Sequence, residues 1–407
     1  MPTDDDLTPP PVGPAPPHPD EVMGLLRGVI DPELGSDIVE LGMAKGVVVE
    51  PSGLVAITIA LTTAGCPLRA QIQRDVKARV GSLPGVTSVR LDWTELTAAE
   101  KAEAMAKARW NVREQAPDTQ IPPTAKVITI ASGKGGVGKS SVTVNLAAAL
   151  TARGFTVGVM DADIWGFSIP RMLGVEGRLQ GKPGEKKILP HTRACGDGQL
   201  KVVSMGFLVD EEETALMWRG LMLNRAVQHF LEDVEWGNLD YLLIDMPPGT
   251  GDVAMGLARM LPRAEMIIVT TPAESAQKVA IRAANMARKS YLRVIGVIEN
   301  MSAFHCEHGG VYELFGSGGG LSLATQAGVP LLGQVPIEAS VAAGGDSGNP
   351  IALGDGPAAE AFRAIAGLLV DEYVPPVAMA GCSARMLDAA VAALDAKDAA
   401  AVANPDR

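Results

Sequence analysis

The sequence predicts an α/β protein, a mostly parallel, doubly wound sheet preceded by a smaller α/β unit. Three observations carry this. From Lys126 to about Val370, apolar runs alternate with helix-compatible segments, the pattern of a parallel sheet covered on both faces. Residues 133–140 read Gly-Lys-Gly-Gly-Val-Gly-Lys-Ser, between the apolar run Val127-Ile128-Thr129-Ile130 and a helix-compatible run from Ser141 to Leu150. Two further runs close on acids: Thr156-Val157-Gly158-Val159-Met160 on Asp161-Ala162-Asp163, and Tyr241-Leu242-Leu243-Ile244 on Asp245. Ligands of such sheets sit at the carboxyl ends of the strands, where the glycine-rich loop and all three acids fall.

The glycine-rich segment meets the phosphate-loop pattern: Gly133, four residues, then Gly138-Lys139-Ser140. A chance glycine-rich turn would not have a strand before it and a helix after it. Glycines let the backbone curl so that successive N–H groups point at one anion, and the helix dipole adds to the attraction. Gly133, Lys134, Gly135, Gly136, Val137, Gly138, Lys139, Ser140 and Ser141 are therefore the expected nucleotide contacts. Lys139 would reach the β- and γ-phosphates, and the Ser140 hydroxyl would bind Mg²⁺. The sheet is thus expected to be a P-loop NTPase sheet that binds ATP and Mg²⁺. Mg²⁺ also needs carboxylates at strand ends, which makes Asp245 the expected water-mediated ligand. Asp252 is a weaker candidate, because aspartates are common in turns.

Lys134, directly after the first glycine, makes the loop resemble that of the deviant-Walker ATPases of the MinD, ParA and nitrogenase-iron-protein class. That resemblance implies a lysine reaching across a dimer interface to the partner's nucleotide, with the action of an arginine finger. It also implies that Asp161 and Asp163 form a switch, Asp161 supporting the metal and Asp163 orienting the attacking water. A solvated loop lysine is the plainer reading of Lys134. A narrower resemblance rests on Asp161-Ala162-Asp163-Ile164-Trp165-Gly166, Trp218-Arg219-Gly220, Asp245-Met246-Pro247-Pro248-Gly249-Thr250-Gly251-Asp252 and Glu299-Asn300-Met301-Ser302. Together these resemble the Mrp/ApbC iron–sulfur cluster carriers. Asn300 follows the predicted strand Arg293 to Ile298 and matches the asparagine that reads adenine in the wider class, since an amide can donate and accept at once. A turn asparagine is the alternative.

The family pattern breaks after that asparagine. The resemblance implies a Cys-x-x-Cys, with two subunits supplying four thiolates to a bridging cluster, but the segment reads Phe304-His305-Cys306-Glu307-His308-Gly309-Gly310. Cys306 matches the first cysteine and Gly309 occupies the second position. A dimer would offer two thiolates there, whereas clusters usually take four. His305 and His308 are candidate replacements, because imidazole can stand in for thiolate on iron. An ordinary polar loop with a packed thiol fits as well.

Ahead of the ATPase segment, residues 20–97 carry their own α/β pattern. Glu21 to Val29 reads as helix, Val47 to Glu50 and Leu54 to Ala60 as strands about a Pro51-Ser52-Gly53 turn, Cys66 to Val80 as a second helix, and Val86 to Leu91 as a third strand. Asp31-Pro32-Glu33, Leu61-Thr62-Thr63 and Cys66-Pro67 resemble the small iron–sulfur-assembly domain often fused ahead of such ATPases. Pro67 at a helix start leaves Cys66 near the N-cap, where the dipole favours thiolate, so Cys66 is a second candidate metal ligand. A quiet packed thiol is the other reading. Residues 1–19 read as a Pro-rich disordered tail, 98–122 as a linker, 123–372 as the ATPase domain, and 373–407 as an Ala-rich tail with one helix from Ser383 to Ala396.

Composition narrows the partners. The formal charge of −12 argues against a duplex-DNA footprint and so against a DNA-partitioning role. No apolar run approaches the ~18–20 residues of a membrane span. The last helix and the residues after it carry Asp388, Asp395 and Asp398 against Arg385 and Lys397, not a basic amphipathic face. The first residues lack the basic and apolar regions of a secretory leader, and four scattered cysteines form no disulfide framework. A cytoplasmic, slowly hydrolysing ATPase homodimer is expected, one that binds iron–sulfur clusters and passes them to apoproteins alongside assembly factors, without nucleic acid or membrane. A nucleotide-switched adaptor without a cluster and an ATP-gated electron donor are the alternatives.

Overall fold

A computed structural model of the chain describes residues 15–31, 36–62, 69–97, 119–163, 166–208, 220–249 and 260–376, with scattered positions between 99 and 107 and at 256–258, and without 307 and 309. Cys66, Asp252, Gly309 and the proposed helix from Ser383 to Ala396 lie outside the described residues.

The small unit opens with α1 (Pro19–Leu26). The His18 ring accepts from the Asp20 N–H, and the Glu21 carboxylate accepts from the His18 N–H at 2.9 Å. This reciprocal cap, with Pro19 in the first turn, starts the helix two residues earlier than its apolar spacing suggested. β1 (Ala44–Val49) pairs antiparallel with β2 (Leu54–Leu61), and β2 pairs parallel with β3 (Ser88–Glu95) through α2 (Arg69–Gly81). Gly53 makes the hairpin turn at φ +83°, where a Cβ would meet the Gly85 carbonyl at 2.3 Å. Val22, Leu26, Ile57, Ile59, Ile72 and Val76 form the unit's core, and Leu96 and Ala104 from the following segment join it.

Among the described residues the main sheet has nine strands, and its centre is β5 (Thr156–Asp161), β10 (Tyr241–Asp245) and β4 (Lys126–Ser132), all parallel. β11 (Glu265–Thr270) and β12 (Arg293–His305) continue it on one side, and β14 (Leu331–Ile337) adds to β12. On the other side β9 (Gly198–Ser204) is parallel to β5, and β8 (His191–Cys195) returns antiparallel at the edge. Short strands β6 (Gln180–Gly181) and β7 (Ile188–Leu189) pair with each other apart from it. The parallel strands explain the near-continuous apolar runs, since both faces are covered.

The helix after the phosphate loop, α3 (Lys139–Thr151), is buried from Val142 to Thr151 and has no polar face, so periodicity alone could not orient it. Short α4 (Ile169–Met172) precedes the edge strands, and α5 (Gly220–Glu232) follows them. α6 (Glu274–Lys289) buries only alanines, Ala276, Ala280, Ala283, Ala284 and Ala287, which allows close approach to the sheet. α7 (Gly319–Ala327), α8 (Ala339–Asp346) and α9 (Pro357–Leu368) complete the cover. Two cores flank the sheet, one around Trp236, Phe230 and Leu242, the other around Tyr241, Phe362 and Leu146.

β12 departs most from expectation. The sequence pattern ends it near Ile298, but it runs on to His305, and its last two residues pair antiparallel with β13 (Val311–Tyr312). The outer half of the strand leaves the core and becomes one arm of an exposed hairpin. The small unit meets the opposite end of the sheet. There Arg79, 4% exposed, donates to the Arg263 carbonyl at 2.6 Å and lies 3.5 Å from Glu265, which pairs with Arg293 at 2.9 Å. Glu265 and Arg293 are the first residues of β11 and β12, so this contact is a full strand length from the phosphate loop. No helix among the described residues is long and apolar enough to cross a membrane.

Candidate nucleotide site and the Cys306 hairpin

β4 delivers the chain to Ser132, and the loop turns under tight steric control. A Cβ at Gly133 would meet the Ala280 backbone nitrogen at 2.3 Å. Gly138 sits at φ +78° as the N-cap of α3, and a Cβ there would meet Asn300 Nδ2 at 2.2 Å. These two glycines are required by close approach and by left-handed backbone. The Ser132 hydroxyl donates to the Lys134 carbonyl at 3.0 Å, and Asn300 Nδ2 donates to the Val137 carbonyl at 3.0 Å. The loop is therefore tied from both ends.

Lys139 folds back under this loop and is only 6% exposed. Its Nζ lies 2.8 Å from Asp245 Oδ1 and 4.0 Å from Asp163 Oδ2, in ion pairs that lack hydrogen-bond geometry. Parallel pairing of β5 with β10 puts Asp161 directly beside Asp245. Asp245 Oδ2 accepts from the Ser140 hydroxyl at 2.6 Å, and Thr143 Oγ1 lies 2.9 Å from its Oδ1. Asp161 accepts from the Asp163 N–H at 3.1 Å, from the Ser204 hydroxyl at 3.0 Å and from the Ile169 N–H at 3.4 Å. Burial first, and then the neighbouring Asp245 charge, push the Asp161 carboxyl up to about 8. Asp163 accepts from the Gly166 N–H at 3.2 Å.

Lys139 and Ser140 thus both meet Asp245 below the loop, with Asp161 beside that acid and Asp163 at the edge of the lysine. The Asp161–Asp245 pair is held next to a lysine with no hydrogen-bond partner among the described residues. That environment suits a triphosphate above Lys139 and a divalent cation between Ser140 and the acids. Two supporting hydroxyls escaped the sequence reading. Thr143 lies one helical turn past Lys139, a spacing that could have suggested it. Ser204 ends β9, and only the strand order brings it to Asp161. Lys134 stands apart, its Nζ donating to the Ser275 hydroxyl of the same chain at 3.1 Å.

Beside the loop opens a cavity of about 610 Å³, largely apolar, walled by Gly138, Asn300, Met301, Phe315, Pro336 and Ile337. Asn300 therefore stands between the phosphate loop and this cavity, and its amide donor is engaged by the loop. Met301 has φ +58°, an uncommon conformation for a side-chain-bearing residue, and its methyl reaches the neighbourhood of Gly138.

Cys306 follows β12 directly. Its N–H donates to the Gly310 carbonyl at 2.9 Å, and its Sγ accepts from the Gly310 N–H at 3.2 Å. Phe304 and Tyr312 lie with ring centroids 6.3 Å apart across the hairpin, and both are exposed. Among the described residues no three His, Cys, Asp or Glu side chains converge to hold a metal, so Cys306, His305 and His308 do not form such a group.

Comparison with known proteins agrees with this architecture. Residues 124–370 match the family described as NUBPL iron-transfer P-loop NTPase, and residues 19–91 match an iron–sulfur cluster assembly protein family. An iron–sulfur cluster carrier protein of Mycobacterium bovis is 45% identical over 335 residues, covering 81% of this chain and 86% of its own length. The carrier protein of Synechocystis is 41% identical, covering 85% of this chain and 95% of its own. Among solved structures, a nucleotide-binding protein from Archaeoglobus fulgidus in complex with ADP is 35% identical, covers 55% of this chain and 86% of its own, and has a TM-score of 0.48. The chain belongs to the iron-transfer P-loop NTPase family and is an ATPase by class, with an iron–sulfur-assembly domain fused ahead of its nucleotide-binding sheet.

Proposed function

We propose that this chain is an ATP-binding, slowly hydrolysing homodimer of the cytoplasm that binds iron–sulfur clusters as cargo and passes them to apoproteins. The observation that carries the nucleotide half is the convergence of Lys139, Asp161, Asp163 and Asp245 below the loop. The loop N–H groups and Lys139 would hold the phosphates, and Ser140, Asp245 and Asp161 would hold Mg²⁺. Mg²⁺ supplies charge neutralisation on the phosphate oxygens. Asp163, held by the Gly166 N–H, orients water for in-line attack. The adenine sits in the 610 Å³ cavity, read by Asn300. Lys134 exchanges its contact with Ser275 for the partner's phosphates when two copies face each other.

The cargo half is supported by the carrier names of the relatives and by the hairpin that presents Cys306, whose Sγ accepts from the Gly310 N–H. One cysteine per chain cannot hold a cluster, so two hairpins meet in the dimer, and His305, His308, Cys66 or a small thiol completes the ligand set. Gly309 at the second position of the family pattern favours one alternative, an adaptor whose dimer shape follows nucleotide without a cluster. Anaerobic reconstitution of the full chain, followed by absorption spectroscopy and transfer to an apo-acceptor, separates them. A carrier gains iron, sulfide and visible charge-transfer bands and activates the acceptor. A chain that binds ATP but retains no sulfide after desalting is the adaptor.

A further inference from the structure

The base cavity and the cargo cysteine share one structural element. β12 passes Asn300 and Met301 at the cavity wall and reaches Cys306 five residues beyond Met301. The chain then turns, pairs back through β13, and returns to the same cavity with Leu314 and Phe315. These two side chains are large and apolar, yet 60% and 48% exposed, because the cavity they line is open.

We propose that this hairpin, built of Met301 to Cys306 and Gly310 to Phe315, couples the nucleotide base to Cys306, with Leu314 and Phe315 as the positioning residues that read whether a base is present. The proposal rests on the nucleotide reading above and adds the route by which nucleotide reaches the cargo. A base entering the cavity covers the exposed Phe315 ring and Leu314, a gain from stacking and from removal of apolar surface. Both residues lie on the returning arm, whose turn is fixed by Leu314 N–H to the Tyr312 carbonyl and Gly316 N–H to the Glu313 carbonyl. That arm leads directly from Gly310, whose N–H donates to Cys306 Sγ and whose carbonyl accepts from the Cys306 N–H. A Cβ at Gly310 would stand 3.1 Å from both that sulfur and the Tyr312 ring, so both lie close over Gly310. Pinning the arm at Leu314 and Phe315 therefore pins the donor that covers the thiol. Met301, left-handed and touching the Gly138 region, is the point about which the outer hairpin is set relative to the phosphate loop.

The test is site-resolved alkylation of Cys306 by N-ethylmaleimide in the full-length protein, read by peptide mass spectrometry, with buried Cys195 as an internal reference. Saturating Mg-ATP should slow Cys306 labelling about 5-fold, equivalent to about 1 kcal/mol. Mg-tripolyphosphate, which fills the loop but has no base, should leave the rate unchanged. In the Leu314→Ala/Phe315→Ala double variant, at nucleotide concentrations saturating for that variant, the slowing should vanish, whereas Phe315→Tyr should keep it. Slowing by tripolyphosphate, persistence of the effect in the double variant, or an unchanged rate in ATP-bound wild type would each overturn the coupling. Binding of a fluorescent ATP analogue is measured in parallel. If wild type binds none, the nucleotide reading fails first, and that failure is distinct from a bound nucleotide with no effect on Cys306.

Discussion

The phosphate loop and the Cys306 hairpin sit at the same end of the sheet but are finished to different degrees. Under the loop, Lys139, Asp161 and Asp245 are each less than 7% exposed and anchored by strands and hydroxyls of one chain. At the hairpin, Phe304, Val311, Tyr312, Leu314 and Phe315 are all exposed, and a single thiol has a single N–H donor. A buried charged site must be assembled on folding, because each unpaired charge would cost several kcal/mol. A cargo site must stay open, because the cargo leaves. The buried acids and lysine are thus fixed within one chain, whereas under the proposed function the hairpin is left for a second copy and a ligand to complete.

The largest test of that contrast concerns the two loop lysines. If Lys134 acts only across a dimer, Lys134→Ala should bind ATP within a few-fold of wild type yet lose about 10³-fold in turnover, as loss of an arginine finger does. Lys139→Ala should instead lose affinity itself, and it leaves Asp161 and Asp245 side by side without their cation. Affinity from a fluorescent analogue and phosphate release decide between these outcomes. Full turnover in Lys134→Ala would make it an ordinary loop lysine held by Ser275.

Asp163 comes next. It is 7% exposed, lies at the edge of the Lys139 ion pair and accepts from the Gly166 N–H. Asp163→Ala should retain ATP and lose about 10²-fold in hydrolysis, measured as single-turnover phosphate release. Wild-type turnover would remove it from the water-orienting role and leave Asp245 as the remaining acid near Lys139.

On the hairpin, Cys306→Ala should abolish reconstituted iron and sulfide while ATP turnover stays within about two-fold, because in one chain the thiol makes no contact with the buried acids. Gly309→Cys, which restores the second position of the family pattern, should strengthen cluster retention through gel filtration. Equal iron and sulfide in Cys306→Ala would move the cargo site to Cys66.

How far the sequence could be read follows the same division. Strands ending on acids, and the loop between a strand and a helix, were legible because each depends on local pattern. The order β4-β10-β5-β9, which sets Asp161 against Asp245 and Ser204 against Asp161, is a property of crossovers that no local pattern carries. β12 was read short because Met301 to His305 mixes polar and apolar residues, as an arm with no sheet face to cover will. The Arg79–Glu265–Arg293 contact was not legible at all, since it joins ends of elements from separate units.

The smallest effect asks whether the buried site waits for a cation. Asp161 is fully buried and held up to about 8 by burial and by Asp245, against an ordinary value of 3.8. The folded chain then keeps a proton there that the unfolded chain has released by about pH 5. Its contribution to stability is full below pH ~4 and is lost as pH rises through about 8, so metal-free protein should weaken across that window. Between pH 6 and pH 8 the slope limit is about 1.4 kcal/mol per unit, or roughly 5 °C in melting temperature for a domain of this size. Asp161→Asn cannot titrate and should flatten the dependence by that amount in thermal melts with chelator present. Its absolute stability should fall, because an amide presents a donor where Asp161 accepts from the Asp163 and Ile169 N–H groups, so the slope between the two pH values is the quantity compared. Identical slopes in the two proteins would mean that Lys139 already neutralises both acids. The nucleotide site would then be complete before any cation arrives.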